Sequence, residues 1–335
     1  MLDRILITGA AGFIGSHLVD FLLEKKISPT QLTLLILPGE SLANLPDKPF
    51  TIVRGDIRDP AAVQKAMAGV TTIYHLAARI DFDGTTYDEY EDVNVTGTQH
   101  LIDACKGKKI QKFVLYSSIG VFGLPAGIGN IEGWDETHPK TYTNFYGQSK
   151  WEAELRVMKA HEDFGLPYAI IRPASVYGPR EKGPTLALYR AIKHHRFLRV
   201  GSGMNKMHYV YVSDLVQATY LAAQSKRVAG DYIIAGAKPT LFTDVISHIA
   251  SSIGQTVPTL SLPTSIALGM GYALQVLGSL LKFQPPIFPS RVRTMTTTYY
   301  YSIEKARKEL GYKPRVSFAQ GAILTGKWYM SQGWL

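Results

Sequence analysis

Thr8-Gly9-Ala10-Ala11-Gly12-Phe13-Ile14-Gly15 follows directly on the apolar run Ile5-Leu6-Ile7. A strand enters, glycine recurs at every third position, and a helical pattern leaves through Ser16, His17, Leu18 and Phe21. That order is what a dinucleotide pyrophosphate needs. Glycine permits the tight turn and lets backbone approach phosphate with no Cβ in the way. The N–H groups and positive end of the following helix then hold the anion. Glycines at this spacing also suit any tight strand-to-helix turn, but the strand before and the helix after favour a nucleotide.

Outward from this turn, the first half of the chain alternates strands with helices. Strand patterns lie at Ile5–Ile7, Leu32–Leu37, Thr51–Val53, Thr72–His75, Phe113–Tyr116 and Tyr168–Ile171. Helical patterns fall between them at Ser16–Lys25, Pro60–Ala68, Val93–Cys105 and Tyr146–Glu162. The fold class expected is α/β, a doubly wound parallel Rossmann sheet. After Pro173 the alternation breaks. A strand pattern at Met207–Val212 runs into a helix Ser213–Ala223, and Asp231–Ala235 reads as a further strand. The expected organisation is a dinucleotide-binding domain over residues 1–173, rejoined by 207–235. Residues 174–206 and 236–335 then form a second, smaller mixed substrate-binding lobe. Near its end Ser302 can cap a helix Ile303–Leu310 that stops at Gly311.

With 335 residues, 46% apolar and 19% charged, the chain can bury a large core and is not disordered. Cys105 is the single cysteine, so no intramolecular disulfide forms. Its place in Leu101-Ile102-Asp103-Ala104-Cys105 reads as an inert core thiol, which suits a reducing, cytoplasmic setting. Arg4 before apolar residues faintly resembles a secretion leader, but the immediate strand-to-helix switch fits mature structure better.

The net charge of +9 comes with no nucleic-acid motif, so no nucleic-acid partner is expected. Arg180, Lys182, Arg190, Lys193, Arg196, Arg199 and Lys206 cluster in one region. They suit an anionic substrate or membrane surface, and random surface clustering explains them as well. The nine histidines lack paired metal-ligand spacing, and no metal is expected. Leu262–Leu281 carries no charge and has the length to span a bilayer. Its glycines, serines and Gln275 make a lobe helix the preferred reading. Peripheral membrane contact through 262–281 stands as the alternative.

Tyr146-Gly147-Gln148-Ser149-Lys150 sets a tyrosine and a lysine four apart on one helix face. A phenol of ordinary pKa, near ~10, is a poor acid–base at neutral pH, and a nearby ammonium favours its phenolate. Such a tyrosine can give a proton to a carbonyl oxygen, or take one from an alcohol, as hydride moves on carbon. Tyr189…Lys193 and Tyr301…Lys305 repeat the spacing, so spacing alone proves little. Position separates them. Ser117-Ser118 ends the strand Phe113–Tyr116, at the carboxyl edge where ligands bind in doubly wound sheets. Tyr146 opens the next helix and can return to that edge.

These motifs resemble those of the extended short-chain dehydrogenase/reductase superfamily across essentially the whole chain. The matching segments are Thr8–Gly15, Gly55–Asp59, His75–Ala78, Asn94–Thr98, Ser117–Gly123, Tyr146–Lys150 and Arg172–Pro179. The resemblance implies that Gly9, Gly12, Phe13, Ile14 and Gly15 hold the cofactor, with Asp56 and Ile57 bordering its adenine. It implies that Leu76, Ala77 and Ala78 line the cofactor, that Asn94 sits behind it, and that Pro173 lies beside the nicotinamide. Of the two serines it picks Ser118, with Tyr146 and Lys150, as catalytic; Tyr146 and Lys150 also meet the cofactor. A homodimer through helices Val93–Cys105 and Tyr146–Glu162 is implied as well. Without the other motifs, Asp56 reads equally as a turn carboxylate and Asn94 as a helix-packing amide.

The superfamily divides between nucleotide-sugar epimerases or dehydratases and alcohol/ketone oxidoreductases of the 3β-hydroxysteroid dehydrogenase kind. Sugar-nucleotide members often carry asparagine where Ser175 stands and arginine where Met207 stands, and methionine cannot replace a fork-shaped phosphate ligand. Leu262 onward, through Pro285–Pro289 to Tyr299–Ser302 and Gly311–Pro314, looks more like the steroid-dehydrogenase branch. The preferred expectation is therefore an NAD(P)-dependent oxidoreductase for a bulky, mostly apolar small-molecule alcohol or ketone. A nucleotide-sugar 4-epimerase or dehydratase is the alternative; a non-catalytic NAD(P) sensor is the alternative of another class. For the cofactor, Leu37-Pro38-Gly39-Glu40-Ser41 offers neither an acid nor an arginine at the expected place. No cation lies between Leu37 and Asp47, which favours NAD over NADP.

Overall fold

The computed structural model describes residues 4–80, 86–123, 130–281 and 289–335; for 276–281, 289–291 and 294 it describes the backbone alone. The core is a sheet of strands β1 (Ile5–Thr8), β2 (Leu32–Ile36), β3 (Thr51–Arg54), β4 (Thr72–His75), β5 (Lys112–Tyr116), β6 (Tyr168–Pro173) and β7 (Asp231–Ile234). Its spatial order is β3-β2-β1-β4-β5-β6-β7, parallel throughout. The expected doubly wound sheet is present, and β7, from beyond residue 207, joins it.

β1, β2, β4 and β5 are buried along their whole length, as strands covered on both faces must be. Successive side chains of β1 enter opposite cores. Ile5 and Ile7 pack with Leu18 and Leu22 of helix Phe13–Glu24 and Leu215 of helix Val212–Gln224. Leu6 packs with Leu101, Ala153 and Val157 on the other side. Helix Phe145–Phe164, which carries the Tyr146–Lys150 motif, covers that second face.

The helical pattern expected at Val93–Cys105 is broader and irregular. It runs as Tyr87–Tyr90, a π-helical turn Glu91–Thr96, and Gly97–Asp103. Such widened turns occur often at functional sites. The strand expected at Met207–Val212 divides into Lys206–Met207 and Tyr209–Tyr211, which serve different sheets. His208 separates them: its Nε2–H donates to the Gly236 carbonyl at 3.0 Å and its Nδ1 accepts from the Tyr301 N–H at 3.2 Å. A four-stranded mixed sheet containing Lys206–Met207, Thr240–Leu241, Tyr299–Tyr301 and Ile131–Trp134 is the smaller β layer. A third core gathers Tyr189, Ile246, Ile249 and Tyr329.

Helix Thr264–Leu281 follows a short strand, Ser261–Leu262. No helix among the described residues is long and apolar enough to cross a membrane. Residues 285–288, part of the tail resemblance, lie outside the described residues. Helix Glu304–Leu310 begins one residue later than expected: the Ser302 hydroxyl accepts from the Glu304 N–H at 3.3 Å, and Gly311 closes the helix at φ +66°.

Candidate active site

The glycine turn sits at the carboxyl end of β1, an interior strand of the sheet between β2 and β4. Gly9 is at φ +69°, and a Cβ there would come within 2.9 Å of the Ala77 nitrogen. A Cβ on Gly15 would lie 2.1 Å from the Gly9 carbonyl oxygen. Gly12 differs: its Cβ would meet only that carbonyl oxygen, at 3.3 Å, and otherwise open space. Helix Phe13–Glu24 starts there with no side-chain cap and no acidic residue in its first turn. An uncapped helix N-terminus beside an open backbone approach fits a pyrophosphate. The residues present therefore suit a dinucleotide.

A buried chain of hydrogen bonds fixes the strand ends around this turn. The Ala77 N–H donates to Thr8 Oγ1 at 3.1 Å, and Thr8 lies 2.8 Å from His75 Nδ1. His75 Nε2 lies 2.9 Å from Thr98 Oγ1, whose hydroxyl donates to the Asn94 carbonyl at 2.6 Å. Because Thr98 donates onward, His75 carries its proton on Nε2, and Thr8 donates to Nδ1. Burial holds this imidazole neutral, with a pKa pushed down to about 3.

Asn94 continues the frame. Its Oδ1 accepts from the Arg79 N–H at 2.8 Å. Its Nδ2 donates to the Arg79 carbonyl at 3.1 Å and to Ser149 Oγ at 2.9 Å. The amide thus ties the segment Leu76–Arg79 to the helix bearing Tyr146 and Lys150. Leu76, Ala77 and Ala78 are left half-buried at the sheet edge, and Pro173 is buried at the end of β6, two strands away.

The three catalytic candidates come together on that edge. Ser118 follows β5 and opens a 3₁₀ turn, its Oγ accepting from the Gly120 N–H at 2.9 Å and bonded also to the Tyr146 phenol. Helix Phe145–Phe164 is capped by Asn144, whose Oδ1 accepts from the Gly147 N–H at 2.7 Å. Gly147 explains the close approach: a Cβ there would lie 2.4 Å from the Gly120 carbonyl oxygen. Lys150 Nζ lies 6.0 Å from the Tyr146 ring centre and donates to the Tyr116 carbonyl at 2.8 Å.

The electrostatics differ from the expectation of a phenol acidified by its lysine. Burial, together with neighbouring Tyr90, pushes the Tyr146 pKa up to about 12, against the opposing Ser118 hydrogen bond. Burial also draws Lys150 down to about 8. The ammonium is turned towards the Tyr116 carbonyl, and desolvation rather than the lysine sets the pKa of the phenol. The phenol therefore rests protonated at neutral pH.

Tyr189 and Tyr301, which share the four-residue spacing, stand elsewhere. Tyr189 is fully buried and donates to the Ala322 carbonyl at 2.7 Å. Tyr301 packs 5.6 Å from Phe122, and its lysine, Lys305, pairs with Asp231 at 2.5 Å.

Asp56 is engaged by its own turn. Its Oδ1 accepts from the Arg58 N–H at 2.9 Å and Oδ2 from the Arg58 guanidinium at 2.8 Å, which holds its pKa below the usual carboxylate range. Ile57 is buried, and a Cβ on Gly97 would strike its side chain at 2.7 Å. After β2, the Arg54 guanidinium reaches the loop from the neighbouring strand, donating to the Leu37 and Glu40 carbonyls at 3.1 and 2.7 Å. Glu40 Oε2 in turn accepts from the Leu37 N–H at 3.3 Å. Arg54 escaped the sequence reading because it comes from another strand, whereas Glu40, set aside there as off the expected place, folds its carboxylate back to Leu37.

Four cations of the basic cluster are engaged in local contacts. Arg180 pairs with Asp20 at 2.7 Å, Lys182 lies over Trp334, Arg190 donates to the Trp334 carbonyl and Lys206 lies over Tyr300. Cys105 is buried, with its thiol pKa pushed up to about 12. Among the described residues no group of three or more His, Cys, Asp or Glu could hold a metal.

The pattern of the NAD dependent epimerase/dehydratase family matches residues 5–235. The chain belongs to that family. It is an NAD-dependent enzyme of the extended short-chain dehydrogenase/reductase kind, in keeping with the uncapped glycine turn. A relative from Escherichia coli O157:H7, N-acetyl-alpha-D-glucosaminyl-diphospho-ditrans,octacis-undecaprenol 4-epimerase, is 28% identical over 96% of this chain and 93% of its own. The 3beta-hydroxysteroid-dehydrogenase/decarboxylase isoform 2 of Arabidopsis thaliana is 27% identical, over 94% of this chain and 60% of its own. Among solved structures, UDP-glucuronic acid 4-epimerase from Bacillus cereus in complex with NAD superposes with a TM-score of 0.75. It is 26% identical and covers 99% of this chain and 100% of that one. The family thus includes relatives of both the steroid and the sugar type.

Proposed function

We propose that this family member interconverts a secondary alcohol and a ketone on a bulky, mostly apolar substrate of 3β-hydroxysteroid size. Tyr146 is the acid–base, Ser118 holds the same substrate oxygen, and Lys150 supplies the neighbouring positive charge. The observation that carries the reading is the Ser118–Tyr146 hydrogen bond at the carboxyl edge, one helical turn from Lys150. Tyr146 rests protonated, the state needed to give a proton to a ketone oxygen. In the reverse direction it must take the alcohol proton, and the Lys150 ammonium then stabilises its phenolate. The cofactor, when bound, accepts or returns the hydride at the substrate carbon. Gly9, Gly12, Phe13, Ile14 and Gly15 would hold its pyrophosphate, with Asp56 and Ile57 at the adenine, Leu76–Ala78, Asn94 and Pro173 along the rest, and Tyr146 and Lys150 at its reactive end. NAD(H) is the preferred form, with Glu40 the acid available to the ribose.

Residues 174–206 and 236–335 are assigned to the substrate. Apolar selectivity is supported by Ser175 and Met207, by the uncharged helix Thr264–Leu281 with Ile266 and Met270 exposed, and by the name of the Arabidopsis relative. Burying a ring system there gains about 25 cal/mol per Å² of apolar area. Peripheral membrane contact through 262–281 belongs to the same reading, as does a homodimer through the helices at 87–103 and 145–164, where Leu155 is exposed.

One observation favours a second reading: the E. coli relative is named for a sugar on a diphospho-polyprenol, a substrate that is both anionic and long-chain apolar. A 4-epimerase of such a sugar would use the same Tyr146 chemistry. Thermal-shift and turnover assays should compare 3-hydroxysteroids, UDP- and dTDP-sugars, and a polyprenyl diphosphate sugar. Turnover of a 3-hydroxysteroid or its ketone is expected. Stabilisation by UDP alone, with no response to any sterol, overturns the apolar assignment.

A further inference from the structure

Glu154 stands one helical turn beyond Lys150 on helix Phe145–Phe164, and neither its side chain nor that of Arg172 has any exposed surface. Arg172 grips the carboxylate twice, through Nε at 2.9 Å and Nη2 at 2.6 Å. Its Nη1 donates to Asp231 at 2.6 Å, and Lys305 donates to the same aspartate at 2.5 Å. A fully desolvated ion pair seldom adds stability over apolar residues of equal volume, so its location calls for a use.

That location is the back of the active site. The Ser117 hydroxyl donates to Glu154 Oε1 at 2.5 Å. Ser117 stands between Tyr116, whose carbonyl accepts from Lys150 Nζ, and Ser118. One carboxylate therefore joins the helix bearing Tyr146 and Lys150 to the strand end bearing Ser118. Glu154 is also the group whose charge opposes the desolvation of Lys150. The other titratable groups facing this lysine are Tyr146 on its own helix and His75 from β4, which is neutral. Arg172 on β6 and Asp231 on β7 extend the charged cluster, with Glu136, Lys140 and Lys305 at its margin.

We propose that Glu154, gripped by Arg172, is a positioning residue: it keeps Lys150 an ammonium and, through Ser117, fixes the strand end that presents Ser118. The proposal rests on the role given to Lys150 above, and its test needs no substrate. The protein is labelled with ¹³C at lysine Cε, the Lys150 signal is identified by its loss in Lys150→Met, and its titration is followed by NMR. Glu154→Gln removes the negative charge while leaving an oxygen for Ser117, and should lower the Lys150 pKa by about one pH unit. That change disturbs a buried pair and can cost the fold. Asp231→Asn, at the half-buried end of the cluster, should lower the Lys150 pKa by a smaller step in a protein that still melts cooperatively. A Lys150 titration unmoved to within about 0.2 pH units in every folded variant overturns the proposal, as does a rise of the Lys150 pKa in Glu154→Gln or Asp231→Asn. Failure of the Tyr146 assignment is read separately, as turnover surviving in Tyr146→Phe.

Discussion

Glycine does opposite work in the turn at residues 9–15 and in the helix Thr264–Leu281. In the turn, a Cβ on Gly9 or Gly15 would collide with backbone, at 2.9 and 2.1 Å. In the helix, a Cβ on Gly269 would meet nothing within 4 Å, and Ile266 and Met270 beside it are exposed. One region is fixed by backbone against backbone, where a single methyl is too much. The other is a loosely covered apolar surface. The contrast separates the two halves of the proposed chemistry: the cofactor and proton-transfer edge has one permitted geometry, whereas the substrate face tolerates variation. It also suits a family whose relatives here are named for such different substrates.

The largest test of this contrast is Tyr146→Phe. Turnover should fall on the order of 10²–10⁴-fold with cofactor affinity nearly unchanged, because only the positioned proton donor is lost. Steady-state kinetics and a cofactor titration check both halves of that statement. Tyr189→Phe and Tyr301→Phe, away from the edge, should be mild by comparison. Equal losses at all three positions would dissolve the distinction between the edge and the rest of the molecule.

A smaller effect comes from adding one methyl in each region. Gly15→Ala should destabilise the protein by about 1–3 kcal/mol, as overpacking does, and weaken cofactor binding with it. Gly269→Ala, in an open helical position, should instead stabilise by up to ~1 kcal/mol through helix propensity. Thermal melts of the two variants decide the matter. A destabilised Gly269→Ala would mean that the C-terminal helix is as tightly fitted as the turn.

Acid exposes the frame behind the edge. His75 is held neutral with a folded pKa of about 3, against an unperturbed value near ~6.5. Between these values the unfolded chain binds the extra proton, so this residue's contribution to stability is intact above the upper value and is lost as pH falls towards the lower. The slope is at most on the order of 1 kcal/mol per pH unit. His75→Gln should cost stability at pH 7 by breaking the Thr8 and Thr98 bonds, yet flatten the decline between pH 6 and 4. Raised carboxylates such as Glu136 and Asp214 oppose this slope in both proteins and cancel in the comparison. Parallel acid limbs in the two proteins would show that His75 is not the titrating group.

Much of this architecture was legible because its signals are local. The glycine turn is a matter of spacing, and all seven core strands lie within a residue or two of their apolar runs, since a parallel sheet buried on both faces admits little else. The edge position of Ser117-Ser118 followed from the same pattern. What could not be read joins residues far apart in the chain: Thr8 with His75, Asn94 with Ser149, Glu154 with Arg172 and Asp231, and Arg54 with the Leu37–Glu40 loop. A charged or polar residue inside an apolar strand, as at His75 and Arg172, was the available signal. The π-helical turn at Glu91–Thr96 gave none, because an added residue per turn leaves the apolar pattern nearly unchanged. The acidified phenol failed for a further reason: the sequence shows that Lys150 is near Tyr146, but not that its ammonium faces the Tyr116 carbonyl.

The smallest expected effect concerns the nucleotide, where the two regions meet no further and only one loop decides. NAD(H) should bind more tightly than NADP(H), with Glu40 beside the Leu37 N–H as the available acid and no cation within the loop itself. Arg54 complicates this, because its guanidinium reaches the same loop, although two of its hydrogen bonds are made to the Leu37 and Glu40 carbonyls. Leu37→Arg places a second cation where an acid or arginine commonly reads the ribose. It should move the ratio of the two affinities by roughly tenfold towards NADP(H), about 1.4 kcal/mol, with little effect on turnover. Fluorescence titration of the native protein and the variant with NADH and NADPH measures the change. Native protein that binds NADPH at least tenfold tighter would transfer the reading to Arg54, and Arg54→Ala should then restore the preference for NADH.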